Sequence, residues 1–180
     1  MSILKVARIG HPVLRTHASA VAVETLRSAE IQRLIDDMVE TMHEYNGVGV
    51  AAPQVHVSLR IAVIEVPPDD ERAESGVPLM VLVNPAITPL AQERATGWEG
   101  CLSIPDLRGQ VPRLTQLKLE ALDREGKPYV LEASDFFARV IQHECDHLEG
   151  KVYPDRMEDL RSLTFLEEFE RFGRPRQDGG

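Results

Sequence analysis

Residues 134–149 constrain the fold of this chain most, because they combine the signals of a helix with two histidines one turn apart. The segment begins with Ser-Asp, which is typical of a helix N-terminus, and a glycine follows it. At about 100° per residue, His147 lies roughly 40° from His143 around the helix, so both imidazoles can face one metal ion. Glu144 lies about 60° from His147, where a carboxylate can accept a proton from water activated by that ion. The segment therefore predicts a metallohydrolase helix of the H-E-x-x-H type.

A third ligand is expected from another part of the chain, since two histidines do not hold a catalytic ion by themselves. Cys101 is the best donor, because the glycine before it allows a tight backbone and a metal stabilises its thiolate. Cys145 points about 200° away from His143 and is expected in the core. Three protein ligands leave one position for water, as in a catalytic site. The donors suit zinc or iron, and the Irving–Williams order favours zinc wherever it is available.

The stretch Gly-Val-Gly-Val-Ala-Ala-Pro-Gln at residues 47–54 is predicted to be a loop beside this site. Its glycines would let the backbone of a substrate come close, and Gln54 offers an amide donor to an oxyanion. The stretch matches neither a P-loop nor a dinucleotide-binding motif.

Composition excludes several classes of function. The 180 residues carry a net charge of −9, which argues against a direct nucleic-acid-binding patch. No stretch approaches the ~18 consecutive apolar residues of a membrane span, and the first residues lack the apolar run of a secretory signal. We therefore expect the bacterial cytoplasm, with an organelle as an open alternative, and no membrane contact. In a reducing compartment Cys101 and Cys145 should not form a disulfide.

The pattern of apolar residues predicts an α+β fold in one domain covering residues 1–180, with a frayed tail over 174–180. Helices are expected at about 28–45, 134–149 and 157–172, the last with Leu160, Leu163, Phe165, Leu166 and Phe169 partly buried. Strands are expected at 59–66 and 79–83, and a hairpin over 117–121 and 128–131. We expect mixed or antiparallel sheets packed around a central metal-binding helix, with a C-terminal helix.

Three blocks of sequence, in order, resemble the three motifs of the peptide deformylase family. They are the stretch at 47–54, Glu-Gly-Cys-Leu-Ser at 99–103 and Gln-His-Glu-Cys-Asp-His at 142–147. Gly-His-Pro-Val-Leu-Arg at 10–15 and Gly-Lys-Val-Tyr at 150–153 are also similar to that family. The resemblance covers about residues 5–170, and none of the motif positions that the chemistry needs departs from the pattern.

The resemblance implies a hydrolase that removes the N-formyl group from the N-terminal methionine of newly made polypeptides. It implies a metal, usually Fe(2+), with Zn(2+), Ni(2+) or Co(2+) as alternatives in preparations. The implied ligands are Cys101, His143 and His147. Further implied roles are general acid and base for Glu144, oxyanion donors for Gln54 and the Leu102 amide, and backbone alignment of the substrate for Gly49.

A methionine side chain needs an apolar pocket, and we propose Val48, Phe136 and Val140 as its walls. Phe136 and Val140 share a helical face with the two histidines. Arg139 near the mouth and Arg108, which follows the Cys101 block, are expected to meet peptide carbonyls or a carboxylate.

Other interpretations of these motifs stay open. A helical histidine pair is often a surface or packed pair, and a lone cysteine is often a small buried hydrophobe. A zinc peptidase and a metal-stabilised binding module that docks at a ribosome are the alternative functions, and the enzyme itself could contact the ribosome transiently. Trp98 and Glu99 are expected to orient the Cys101 loop, and Asp146 to act behind the ligands or to pair with an arginine such as Arg113.

Overall fold

The structure, a computed structural model, describes residues 2–173 and consists of antiparallel sheets and helices. Its helices are α1 (Val23–Leu26), α2 (Ala29–Glu44), α3 (Asp135–Leu148) and α4 (Leu166–Glu168), which continues as a π-helical turn over Phe169–Gly173. Its strands are β1 (Gly49–Ala51), β2 (Ile61–Val66), β3 (Val77–Pro89), β4 (Arg94–Cys101), β5 (Ile104–Leu114), β6 (Gln116–Leu122), β7 (Pro128–Ser134) and β8 (Thr164–Phe165).

A five-stranded sheet in the order β1-β2-β3-β6-β7 separates the two long helices. Strand β2 shows the arrangement, because its side chains alternate between the two faces. Ile61 and Val63 pack in the cluster that contains α2, whereas Ala62 and Ile64 pack in the cluster that contains α3. The apolar run over residues 61–64 of β2 is therefore explained by burial on both faces.

A three-stranded sheet in the order β4-β5-β8 covers another side of α3. A tight turn at residues 102–103 joins β4 to β5, so Cys101 lies at the very end of β4. A small core of Cys101, Val111, Val152 and Tyr153 packs beneath this sheet.

Helix α3 runs between the two sheets and is buried along most of its length. The predicted helix at 134–149 is confirmed as Asp135–Leu148, and every residue from Val140 onward is buried. Apolar residues of α3 face the five-stranded sheet, whereas Gln142, His143 and Asp146 bond to residues of β4 and β5. The expected α+β fold around a central helix is confirmed.

The long helix and the hairpin were also predicted close to their observed bounds. Helix α2 begins after Ser28, whose Oγ accepts a hydrogen bond of 3.4 Å from the Ile31 amide, and ends before Asn46, which has a φ of 52°. Strands β6 and β7 form the expected hairpin. Among residues 2–173, no helix has the length and apolar character needed to cross a membrane.

The predicted C-terminal helix is present but shorter than expected. Residues 157–165 form a 3-10 turn at Leu160–Ser162 and then β8, so the helix begins only at Leu166. Leu160, Leu163 and Phe165 are exposed rather than partly buried, because this segment forms a 3-10 turn and a strand that pairs with β5 through its backbone instead of a helix with an apolar face. Residues 174–180, for which a frayed tail was expected, lie outside the described residues.

Two further parts of the secondary structure differ from expectation. Strands β4 and β5 had not been predicted, and the expected loop at 47–54 contains β1 followed by a 3-10 turn at Ala52–Val55. The strand predicted at 79–83 extends over Val77–Pro89.

Candidate active site

The end of β4 and the buried face of α3 bring together one sulfur and two imidazole rings. Cys101 lies at the end of β4, and His143 and His147 lie one turn apart on α3. One ligand atom from each of the three residues lies within 4.8 Å of the others. The Sγ of Cys101 is 3.3 Å from Nε2 of His147. Cys145 lies outside this cluster, in the core, where burial raises the pKa of its thiol to about 12.

The donors of this cluster fit a divalent transition-metal ion. Burial by itself raises the pKa of the Cys101 thiol, but the adjacent His147 and His143 rings bring that pKa well below its usual value. The thiolate is the form of cysteine that binds metals. One thiolate and two imidazoles form a ligand set of the kind that holds catalytic zinc and related ions.

The orientation of His143 is set by a buried carboxylate on β4. Nδ1 of His143 donates a hydrogen bond of 2.9 Å to Glu99, which leaves Nε2 for the cluster. Two hydrogen bonds from Arg113, of 2.9 and 3.0 Å, hold the same carboxylate. Burial alone would raise the pKa of Glu99, yet its bonds to His143 and Arg113 lower that pKa far below its usual value. Glu99, expected to orient the Cys101 loop, therefore contacts the ring of His143 in the same cluster.

The ion pairs around Glu99 continue to the protein surface. Arg113 donates a hydrogen bond of 2.6 Å to Asp146, as one of the two interpretations of Asp146 predicted. Asp146 also accepts hydrogen bonds of 2.6 and 3.1 Å from Arg156, whose side chain reaches solvent. Glu99 and Asp146, two buried carboxylates near the histidines, thus each have an arginine partner.

Glu144 lies beside the cluster and in contact with the backbone of β1. Its side chain is buried, and its Oε2 has no hydrogen-bond partner among the described residues. Burial raises the pKa of Glu144 to about 7. A carboxyl group with a pKa near neutrality can both accept and return a proton. A Cβ at Gly49 would lie 2.5 Å from Oε1 of Glu144, so glycine is required there.

Gln54 is held so that its amide nitrogen points toward the cluster. Its Oε1 accepts a hydrogen bond of 2.8 Å from the Ala51 amide, which fixes the side chain. Its Nε2 then lies 3.4 Å from Sγ of Cys101 and 3.4 Å from Oγ of Ser103. A donor fixed in this way can serve an oxyanion formed next to the cysteine.

One cavity of about 590 Å³ opens onto the cluster at Cys101 and His143, whereas His147 is fully buried and does not line it. Its walls include Cys101, Glu144 and Gln54. Its other sequence-predicted residues are Val48, Gly49, Leu102, Arg108, Phe136, Val140 and His143. The cavity is large enough for several residues of a peptide.

Comparison with known proteins agrees with this geometry. Residues 3–162 match the sequence model described as polypeptide deformylase. The chain belongs to the polypeptide deformylase family. It is 44% identical over 167 residues to peptide deformylase 2 of Pseudomonas putida, covering 90% of this chain and 92% of that one.

Solved structures of other deformylases have the same fold. The crystal structure of a class I type b peptide deformylase from Acinetobacter baumannii with bound Met-Ala-Ser gives a TM-score of 0.81 at 38% identity, covering 87% of this chain and 100% of that chain. A peptide deformylase from Legionella pneumophila gives a TM-score of 0.78 at 35% identity, covering 97% of this chain and 100% of that chain.

The two arginines expected to meet the substrate of this deformylase-family site differ in position. Arg108 lies over the backbone of Gly100, where a Cβ would be 2.5 Å from its Cζ, and it lines the cavity. Arg139 also reaches the cavity, but its guanidinium donates to Glu99 and to the carbonyl oxygen atoms of Ala95 and Val111. The guanidinium of Arg139 therefore bonds within the protein and is not available to bind a substrate.

Sequence reasoning missed one residue of the cavity on the loop at 69–76. The guanidinium of Arg72 lies over the ring of Phe136, 4.7 Å from its centroid, and Arg72 is also paired with Asp70. No local pattern in the sequence links Arg72 to a helix more than sixty residues away.

Proposed function

We propose that this protein hydrolyses the N-formyl group of the N-terminal methionine of newly made polypeptides. One water molecule is consumed, the formyl C–N bond breaks, and formate and a free amine are released. The observation that carries the proposal is the unpaired, buried carboxylate of Glu144 in a cavity beside the Cys101, His143 and His147 cluster. Hydrolysis of an amide needs a positioned acid and base, and this carboxylate supplies one.

We propose Cys101, His143 and His147 as the residues that hold the ion, with Fe(2+) as the resident metal. When bound, the ion supplies Lewis acidity, which lowers the pKa of water and polarises the formyl carbonyl. Zn(2+), Ni(2+) and Co(2+) suit the same donors. Metal analysis of protein purified with and without oxygen tests iron, because ferrous iron beside a thiolate is expected to be lost or oxidised in air.

Glu144 is the proposed proton carrier. Its carboxylate accepts the proton of the attacking water and later gives that proton to the leaving amine. The pKa of about 7 suits both transfers near neutral pH. Contact with Gly49 limits where the carboxylate can move, so it stays directed into the cavity.

Two donors are proposed for the oxyanion that forms when the formyl carbon becomes tetrahedral. They are Nε2 of Gln54 and the backbone N–H of Leu102, which both line the cavity beside Cys101. Each donor of this kind contributes on the order of 3 kcal/mol to transition-state stabilisation.

The peptide is proposed to bind as an added strand along β1. This strand is at the edge of the five-stranded sheet and pairs there with β2 alone. Its backbone at Gly49 can therefore pair with an extended substrate. The methionine side chain would then contact the apolar wall formed by Val48, Phe136 and Val140, and Arg108 would meet the peptide backbone further along.

We further propose that the protein acts in the bacterial cytoplasm, where chains emerging from ribosomes carry the formyl group. The relatives described above are bacterial. The net charge of −9 favours a brief contact with the ribosome over stable binding to RNA.

The experiment compares formyl-Met-Ala-Ser with acetyl-Met-Ala-Ser, using metal-loaded protein and measuring formate, acetate and free amine. We expect rapid release of formate and little reaction of the acetylated peptide, whose extra methyl group enlarges the acyl group. Cleavage between residues of the peptide would indicate a peptidase instead. Binding without any hydrolysis, together with unfolding on chelation, would indicate a metal-stabilised binding module.

A further inference from the structure

The segment at residues 164–169 reaches the cavity although the family match ends at residue 162. Its strand β8 pairs with β5, with Thr164 opposite Arg108 and Phe165 opposite Leu107. The residue that follows, Leu166, then lines the cavity. The C-terminal segment is therefore anchored to the same sheet that carries Cys101.

Trp98 joins Leu166 in this part of the cavity. Its ring contacts that of Phe169, with 4.8 Å between the centroids, so the tryptophan is held against the C-terminal segment. Trp98 and Leu166 are both half-buried and both line the cavity. We call Trp98, Leu166 and Phe169 the C-terminal wall.

The C-terminal wall is distinct from the apolar wall that α3 contributes. Successive residues of a strand point to opposite faces of the sheet. Glu99 contacts His143 on α3, so Trp98, the residue before it, faces away from α3. The cavity therefore has one apolar wall from α3, with Phe136 and Val140, and a second on the other face of β4.

An extended peptide would use both walls, because its successive side chains also point in opposite directions. If the formylated methionine occupies the wall of Phe136 and Val140, the side chain after it is directed to the opposite side. This step rests on the proposed function and on binding of the peptide along β1. We infer that the C-terminal wall binds the side chain that follows methionine and that Leu166 makes the site prefer an apolar residue there.

Binding and turnover are measured separately with peptides that differ only in this residue. Met-Leu-Ser, Met-Ala-Ser and Met-Asp-Ser are titrated into the metal-loaded protein, and their N-formyl forms are assayed for kcat and KM. We expect the leucine peptides to bind about tenfold more tightly than the alanine peptides, a difference that a few buried methylene groups supply. The aspartate peptides should bind most weakly.

Three variants test whether Leu166 causes this preference for an apolar residue. Leu166→Ala should remove most of the preference for leucine over alanine, and the loss should be seen in KM. Leu166→Met, which keeps the side-chain volume, should retain the preference. The control Leu160→Ala deletes the same atoms from a side chain that is 65% exposed and outside the cavity, so it should leave the preference unchanged.

The inference is overturned if the wild type binds the leucine and alanine peptides equally, if it favours aspartate, or if Leu166→Ala keeps the wild-type preference. Failure of the proposed function has a different result, namely absence of formate release while the binding preference of the free-amine peptides persists.

Discussion

Gly49 lies so close to Glu144 that a Cβ on the glycine would be 2.5 Å from the carboxylate oxygen Oε1. The strand proposed to pair with the substrate and the residue proposed to move the proton are thus in direct contact. All three atoms that a Cβ at Gly49 would approach belong to the Glu144 side chain, so that side chain would have to move to make room.

Gly49→Ala should therefore displace the Glu144 side chain and lower kcat/KM on formyl-Met-Ala-Ser by about 10²-fold, since misplacement by about 1 Å has effects of this size. Gly47→Ala is the matched control, because a Cβ there meets the flexible end of Leu102 at 3.3 Å. Its loss should be much smaller. Equal kinetics for the two variants would contradict the proposed importance of the Gly49–Glu144 contact.

Glu99→Gln should weaken metal binding by about 10- to 100-fold, as changes to groups behind a ligand commonly do. The amide removes the charge that faces Nδ1 of His143. Competition with a chelator measures the affinity. Glu65→Gln changes a carboxylate that bonds to the exposed His43, away from the site, and should leave the affinity unaltered. An unchanged affinity in Glu99→Gln would mean that Glu99 does not orient the ligand.

Arg113→Met should lower the free energy of unfolding by on the order of 3–5 kcal/mol, because it leaves the buried Glu99 and Asp146 short of a partner. Denaturant unfolding measures the change. Arg161→Ala removes an arginine whose side chain is 91% exposed, and no measurable change is expected. A similar small effect in both variants would show that the buried charges are compensated in another way.

Removal of the metal should stop formate release without unfolding the protein. Helix α3 packs in the apolar core through residues such as Ile141 and Leu148, and these contacts do not involve the proposed ligands. Circular dichroism before and after chelation is expected to show the same helix content, with activity restored when metal is returned. Loss of helix on chelation would assign the ion a structural role.

The main elements of the fold could be predicted because their signals are local. The helical period of α2, the capping signals of α3 and the turn between β6 and β7 each lie within one segment. Strands β4 and β5 could not be predicted in this way. Prolines and glycines interrupt their alternation, and the 11-residue strand β5 is stabilised by pairing with β4 and β8 on either side.

Tertiary contacts also explain where the prediction of the C-terminal helix was wrong. The spacing of Leu160, Leu163 and Leu166 fits a helix, but the backbone of residues 164–165 pairs with β5 instead. Only the shorter helix after it remains, and this change brings Leu166 to the cavity.

For the site, the residue types and their order were readable in the sequence, whereas most of the contacts that hold these residues in place were not. The spacing of His143 and His147 predicted a shared face, and the structure brings both within 4.8 Å of the Cys101 ligand atom. The stacking of Arg72 on Phe136 and the contact of Glu99 with His143 join distant segments. No local pattern carries that information.

The most direct test of the account compares the wild type with Glu144→Gln when both carry one equivalent of the same metal. Formate release from formyl-Met-Ala-Ser is measured under identical anaerobic conditions. The account predicts rapid release by the wild type and a rate lower by at least about 10²-fold for the variant, because the group that carries the proton is gone. A fully loaded wild type that leaves the peptide untouched, or a variant that turns over at the wild-type rate, would contradict it.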